Sequence, residues 1–115
     1  MPLNISYCKL LALRAHNAPK RKPEESLPSS IMIGEVYSFD KSEQRVFDIQ
    51  RLIPLNETKG GEQLGRPLAL IRIIEPTHYE NGQEVRTRGT YRIERLISPS
   101  EKLVWGTGDW SIEPK

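Results

Sequence analysis

The sequence predicts an all-β protein, a small and partly open β-barrel of about six mostly antiparallel strands with a long N-terminal loop. The dipeptide Asn81-Gly82 lies between two long β-prone runs, an arrangement typical of a two-residue type I′ hairpin turn. Nine prolines and eight glycines divide the rest of the chain into short segments. At 115 residues, the chain is expected to form one domain, residues 1–115.

The first predicted strand covers residues 4–15. Four apolar residues in it share one parity, with Lys9 as the exception: Ile5, Tyr7, Leu11 and Leu13. This alternation indicates a half-buried strand. A helix competes over residues 10–15, because leucine and alanine favour helices. Cys8 is interpreted as a small apolar residue of this strand.

Residues 16–30 are predicted to form a long, proline-rich basic loop. They contain three prolines, which exclude a continuous strand or helix. They also contain three consecutive cations: Lys20, Arg21 and Lys22. A loop of this length in a compact domain is usually functional or mobile.

Two further strands are predicted at residues 31–39 and 45–55, joined by a polar connection at 40–43. Pro54 lacks an N–H group and is expected to end the pairing of the second of these strands or to place it at a sheet edge. Three glycines in residues 56–65 predict a second loop.

The hairpin is predicted to have arms at residues 68–80 and 83–97. A two-residue turn at 81–82 would pair Tyr79 with Glu84, Glu75 with Arg88, and Leu70 with Ile93. Pro76 is expected to produce a bulge, so that residues 77–86 form an exposed β-arm. A short strand at 102–106 and a tail at 106–115, which contains glycine and tryptophan, complete the chain.

No residue pattern indicates catalysis. The chain has one cysteine and two distant histidines, His16 and His78, so no metal site and no cofactor are predicted. It lacks nucleophile-elbow and phosphate-loop motifs. An enzyme whose site is assembled only in the fold, from residues such as Asp48, Glu94 or His78, is a less favoured alternative.

Basic and aromatic residues form one suggestive set. Arg86, Arg88, Tyr91 and Arg92 lie on the second hairpin arm, and with Lys20, Arg21 and Lys22 they predict a surface for RNA or single-stranded nucleic acid. A solvated face with ion pairs is the favoured interpretation. The reason is that 17 basic residues are nearly balanced by 15 acidic ones, for a net charge of +2.

Four aromatic residues are expected to be core or lid residues: Tyr7, Phe39, Trp105 and Trp110. An exposed Trp110 would instead indicate a partner or oligomer contact. The favoured function is therefore a non-catalytic binding or adaptor module. Its protein partner would contact the long loop, the hairpin tip and the tail, with homodimerisation as a second option.

The chain is predicted to be a cytoplasmic protein without a membrane partner. No run approaches the ~18 apolar residues of a membrane-spanning helix, and the N-terminus has no signal-peptide pattern.

Several segments resemble a bacterial family of small cytoplasmic β-rich proteins of unknown function. The opening residues 1–5 and Lys9-Leu10-Leu11 are similar to its first strand. Three central motifs resemble its middle strands: Gly34-Glu35-Val36-Tyr37, Arg45-Val46-Phe47 and Ile53-Pro54-Leu55. Residues 66–74 and 90–97 resemble its final pair. The resemblance implies no activity and no catalytic residue.

Overall fold

The computed structural model describes residues 5–16, 19–20, 23–60, 63–82, 84–106 and 109–115. In these ranges the chain forms nine strands and one short 3₁₀ helix at Pro23–Glu25. The strands are β1 (Ile5–Cys8), β2 (Leu11–Leu13), β3 (Val36–Ser42), β4 (Gln44–Phe47), β5 (Ile53–Gly60), β6 (Gln63–Asn81), β7 (Glu84–Leu96), β8 (Glu101–Trp105) and β9 (Trp110–Pro114). The all-β prediction is confirmed.

Five strands form one sheet in the order β2-β5-β6-β7-β3, which curls into an open half-barrel. The pairing of β2 with β5 is parallel, and the other ladders of this sheet are antiparallel. β1 and β4 form a parallel two-stranded sheet, and β8 and β9 form an antiparallel hairpin. The predicted partly open barrel is therefore confirmed.

The strands outnumber the predicted six because two predicted runs break in the middle and the tail forms a strand of its own. The first run bends at Lys9 and Leu10, which separates β1 from β2. The run at 45–55 breaks where the Asp48 side chain accepts a hydrogen bond from the Gln50 N–H at 2.9 Å. Such Asx turns compete with strand pairing. The predicted loop at 56–65 is wrong in its described part, because β5 continues to Gly60 and β6 begins at Gln63.

The described part of the long loop covers the edge of the half-barrel. Arg14 N–H donates to the Glu25 carbonyl at 3.2 Å, and Leu27 N–H donates to the Arg14 carbonyl at 2.7 Å. Lys41 on β3 donates to the carbonyl of Ala12 on β2. This side-chain hydrogen bond links the two edge strands, and residues 25–27 satisfy the backbone groups of Arg14, directly after β2.

The core fills the concave side of the half-barrel. Over residues 71–74 of β6 and 90–93 of β7, the buried positions are the odd-numbered ones, as a period of two requires: Ile71, Ile73, Tyr91 and Ile93. The Phe39 ring lies edge-on to that of Phe47, with 5.4 Å between ring centroids. The prediction that Phe39 is a core residue is confirmed. The same prediction for Tyr7 is wrong, because this side chain is 83% exposed.

The predicted hairpin register is wrong, because the turn lies one residue further along the chain than predicted. Asn81 pairs with Glu84, so the turn contains Gly82, at φ +67°, and residue 83, which lies outside the described residues. The observed pairs are Tyr79 with Arg86, Thr77 with Arg88, and Ile71 with Ile93. The predicted bulge at Pro76 is confirmed by a register shift between Ile74 and Thr77. Glu75 in this bulge has φ +48°.

The predicted exposed arm at 77–86 is wrong at its inner end. β7 pairs with β3 as far as Ser42 and Arg86, so this part of the arm belongs to the sheet. The Thr87 hydroxyl, which is fully buried, donates to the Glu43 carbonyl and accepts from the Arg45 N–H, both at 2.9 Å.

Replacing Tyr91 by phenylalanine is expected to leave stability unchanged or to raise it by about 1 kcal/mol. Tyr91 is fully buried, and its hydroxyl has no hydrogen-bond partner among the described residues. Burial raises the pKa of this phenol, and Tyr37 adds to the effect. The stability that the raised pKa of Tyr91 contributes is fully present below the ordinary tyrosine pKa of about 10. It is lost as the pH rises above that value and the phenol ionises in the unfolded chain.

Urea denaturation at pH 7 and pH 11 tests this prediction. The Tyr91→Phe variant should lose less stability between the two pH values than the wild type. A loss of more than about 1 kcal/mol at pH 7 would contradict it, because that result would require a hydrogen bond to the hydroxyl.

Candidate binding surface

The β8–β9 hairpin presents two tryptophans side by side. Trp105 and Trp110 are cross-strand partners, with ring centroids 5.0 Å apart and ring planes at 67°. Gly106 N–H donates to the Asp109 carbonyl at 2.8 Å beside the turn, of which residues 107–108 lie outside the described residues. Such an edge-to-face pair is a favourable aromatic arrangement and holds both rings in place.

The exposure of the two rings differs from the sequence-based expectation. Trp105 is 55% exposed, whereas Trp110 is half-buried. The sequence indicates Trp110 as the residue whose exposure would mark a partner contact, and predicts that Trp105 is a core or lid residue. In the structure Trp105 is the more accessible ring.

A cleft of about 230 Å³ lies beside the tryptophan pair. Its remaining lining residues come from the end of β1, the turn after β4 and the start of β5: Cys8, Lys9, Asp48, Arg51, Leu52 and Ile53. Arg51 Nε lies 3.7 Å from an Asp48 carboxylate oxygen. The cleft therefore combines an aromatic and aliphatic wall with charged groups, a combination typical of binding sites.

Three further apolar side chains are exposed on β1, β4 and the turn after β4, outside the lining of this cleft. Tyr7 on β1 and Val46 on β4 are cross-strand partners, and both are exposed. Ile49, next to the cleft residue Asp48, is also exposed. We call Trp105, Trp110 and the other residues that line the cleft the tryptophan face.

The predicted arginine set is divided between interior and surface. Arg86 is only 8% exposed and lies among three carboxylates, with Asp40 at 2.9 Å, Glu84 at 3.1 Å and Glu25 at 3.2 Å. Tyr91 is fully buried in the core. Neither side chain is presented for stacking on a base, so the surface role predicted for these two residues does not fit their positions.

Arg88 and Arg92 are exposed on the outer face of β7, as predicted. The Arg88 guanidinium carbon lies 4.7 Å from the centroid of the Tyr79 ring. Arg92 forms an ion pair with Glu94. Lys20 is exposed, while Arg21 and Lys22 lie outside the described residues. The exposed cations of β7 therefore already have aromatic or acidic neighbours.

The residues weighed for an assembled catalytic site each contact other partners. The His78 ring contacts the Arg45 carbonyl at 2.9 Å and the Gln44 amide at 3.4 Å. Asp48 pairs with Arg51, and Glu94 pairs with Arg92. Over the described ranges, no three residues of the types His, Cys, Asp and Glu are grouped to hold a metal ion.

Sequence reasoning missed most of the tryptophan face. The one available signal was Lys9, a charged residue at an apolar position of the predicted first strand. The structure places it among the residues that line the cleft. Nothing in the sequence indicates that Tyr7 is exposed, because it has the same parity as the buried Leu11 and Leu13. The bend between β1 and β2 breaks this alternation, and the sequence pattern does not show the bend.

No family model matches this chain, and comparison with curated proteins and with solved structures also finds no match. The resemblance to a bacterial β-rich family stays a prediction. In the described portion of the chain, no helix has the length and apolar character needed to cross a membrane.

Proposed function

We propose that this protein is a non-catalytic binding module that contacts a protein partner through the tryptophan face. The observation that carries the proposal is the exposed Trp105 ring, held edge-on to Trp110 beside a cleft. Tryptophan, tyrosine and arginine are the residues that most often dominate the energy of protein interfaces. The tryptophan face contains two of these types, in Trp105, Trp110 and Arg51.

The pairing of the two tryptophans also supports this function. A ring that is already fixed by its neighbour loses little conformational freedom when a partner binds. Trp105 is fixed by Trp110 and by the backbone pairing of the β8–β9 hairpin. More of the energy of burying its apolar surface is therefore left for association.

The nucleic-acid alternative has weaker support. It rests on Arg88 and Arg92, which are exposed on β7, and on Lys20, which is exposed in the long loop, while Arg21 and Lys22 lie outside the described residues. Arg92 is paired with Glu94, and the two other strand residues assigned to this role, Arg86 and Tyr91, are buried. A partner that binds through base stacking needs accessible aromatic rings along the path of the strand.

Replacing Trp105 by alanine is expected to weaken partner binding by about 2 kcal/mol or more, roughly thirtyfold. The measurement is affinity capture from native lysate with immobilised wild-type and variant protein, quantified by mass spectrometry. Met32→Ala is the matched control, because Met32 is a similarly exposed apolar residue outside the tryptophan face. Proteins that depend on this surface should be retained by the wild type and the control and lost with Trp105→Ala.

An identical set of retained proteins with Trp105→Ala would contradict the proposal, as would retention of none by the wild type. An oligonucleotide-binding assay at increasing salt concentration distinguishes nucleic-acid binding from protein binding. Binding that weakens steeply with salt, and that Arg88→Ala reduces, would favour nucleic acid over protein as the partner.

A further inference from the structure

A groove of about 490 Å³ lies between the long loop and one end of the five-stranded sheet. Its lining comes from residues 27–31 at the end of the loop, from the start of β6, and from the end of β7 with the residues that follow it. Most of the side chains that line it are apolar: Leu27, Pro28, Ile31, Leu68, Leu96 and Ile97. Concave sites of this size, mainly apolar with few charged groups, are typical of small-molecule binding.

Arg66 supplies this groove with a positioned cation. Its Nη1 donates to the Ile97 carbonyl at 3.0 Å and to the Pro67 carbonyl at 3.4 Å. Its Nε and Nη2 make no hydrogen bond to the described residues, and none of the described carboxylates pairs with it. The Nε–H and one Nη2–H form the planar fork that binds a carboxylate through two parallel hydrogen bonds. Arg66 therefore has this edge available while its Nη1 is fixed by the backbone.

The backbone beside the groove is already paired at Ile97 and Ser98. The Ile97 N–H donates to the Leu68 carbonyl at 2.9 Å, and the Ile97 carbonyl accepts from Arg66. The Ser98 N–H donates to the Glu101 carboxylate at 2.9 Å. A bound peptide would bring further N–H and C=O groups to this apolar groove and would find these partners used, and unmet polar groups are costly. An alkyl chain needs no such partners.

We propose that this groove binds a medium-chain fatty acid, with the alkyl chain against the apolar residues and the carboxylate on the Nε–Nη2 edge of Arg66. Burial of apolar surface drives the association, and the charge-assisted hydrogen bonds orient the ligand. The groove shares no lining residue with the tryptophan face. Fatty-acid binding is therefore a further activity, independent of the partner contact proposed above.

Glu101 limits the ligand to a single carboxylate. It lines the groove, and its own carboxylate accepts from the Ser98 N–H and lies 3.7 Å from Arg95 Nη2. The hydrogen bond from the Ser98 N–H lowers the pKa of Glu101, so this group stays charged at neutral pH. A second carboxylate on the ligand would be repelled by this charge. Dicarboxylic acids of the same chain length are therefore expected to bind more weakly.

Isothermal titration calorimetry with the full chain tests the alkyl chain and the carboxylate separately. Hexanoate, octanoate and decanoate are expected to bind with increasing affinity, by about fivefold for each pair of methylenes, because each pair buries more apolar surface. Decanol and decylamine have the same alkyl chain without a carboxylate, and they should bind at least about fivefold more weakly than decanoate. Decanedioate should also bind more weakly than decanoate.

Two variants with matched controls locate the ligand. Arg66→Gln should lower the affinity for decanoate about fivefold and change that for decanol by less than about twofold. Arg72→Gln is its control, because Arg72 Nη1 also donates to a backbone carbonyl, at 3.2 Å, and Arg72 does not line the groove. Leu96→Ala should weaken decanoate binding about threefold. Leu64→Ala is the second control, since Leu96 and Leu64 are 40% and 49% exposed and Leu64 lies outside the groove.

Equal affinities for decanoate and decanol, equal effects of either variant and its control, or no binding of decanoate would each overturn the inference. Tighter binding of a tripeptide with apolar side chains and a free C-terminus would assign the groove to a protein C-terminus and would also overturn it. Trp105→Ala should leave decanoate binding unchanged. Loss of decanoate binding in this variant would place the ligand in the tryptophan face and refute the groove as its site, whereas the capture of proteins through Trp105 is measured independently.

Discussion

Replacing Arg86 by methionine is expected to destabilise the folded protein by about 3–5 kcal/mol. Arg86 is 8% exposed, and three carboxylates surround its guanidinium. Methionine keeps much of the side-chain volume but removes the charge. Asp40, itself buried, would then lie in the interior without its 2.9 Å ion pair. The loss of one member of a buried ion pair is costly because the other charge stays desolvated.

The three carboxylates around Arg86 contribute unequally to the stability of the folded protein. Burial acts to lower the pKa of Arg86, but hydrogen bonds and charge from Asp40 and Glu84 outweigh it, so the pKa is raised and the guanidinium stays charged. Glu84 is about half exposed, and solvent screens its share. Asp40 and Glu25 are more buried, so we expect most of the stability lost in Arg86→Met to come from the ion pairs with these two residues.

Arg86 also connects the long loop to the sheet. Glu25 belongs to the 3₁₀ helix of that loop, and its carboxylate lies 3.2 Å from Arg86 Nη2 on β7. Glu25 and Leu27 are hydrogen-bonded to the backbone of Arg14, directly after β2. Loss of Arg86 is therefore expected to weaken the attachment of the loop to the end of β2, in addition to the global loss of stability.

Urea denaturation and amide hydrogen exchange check both parts of this prediction. The Arg86→Met variant should unfold at lower urea, and the amides of Arg14 and Leu27 should exchange faster than in the wild type. Arg95→Met is the control, because Arg95 is largely exposed and its change should stay within about 0.5 kcal/mol. Equal destabilisation by the two variants would contradict the assigned role of Arg86.

Replacing Gly89 by alanine is expected to cost about 1–3 kcal/mol. A Cβ at this position would lie 3.1 Å from the Phe39 ring, 3.1 Å from the Pro76 Cα and 3.2 Å from the Glu75 carbonyl oxygen. Two of these atoms belong to the backbone of the bulge in β6, where Glu75 already has a positive φ. The backbone of the bulge or the buried Phe39 ring would have to shift, because both already lie closer than an ordinary contact to the place of the new Cβ.

Thermal and urea denaturation of Gly89→Ala should therefore show a lower midpoint with an unchanged slope. Gly65→Ala is a suitable control, because Gly65 also lies within a strand and its new Cβ would meet ordinary contacts at 3.4 Å and beyond. This control should be neutral or slightly stabilising, since alanine restricts the unfolded chain more than glycine does. Destabilisation of the control to the same extent would show that the close approach at Gly89 is not the cause.

Local residue chemistry determined the class of this fold. The alternation along β6 and β7, the hairpin near residues 81–83 and the bulge at Pro76 follow from side-chain parity and from the missing N–H of proline. Each depends on residues adjacent in sequence. The exact turn position was not determined, because Asn81 fits both a turn and the last strand pair, and a shift of one position changes every partner.

Only the tertiary structure decided which polar and aromatic side chains are accessible. Parity correctly placed Arg86 and Arg88 on one face of a strand, but Glu25 and Asp40 cover Arg86 from 61 and 46 positions away in sequence. Tyr7 and Trp105 are exposed because β1 and β8 pair outside the five-stranded sheet. Burial depends on these long-range placements, and no local pattern of residues encodes them.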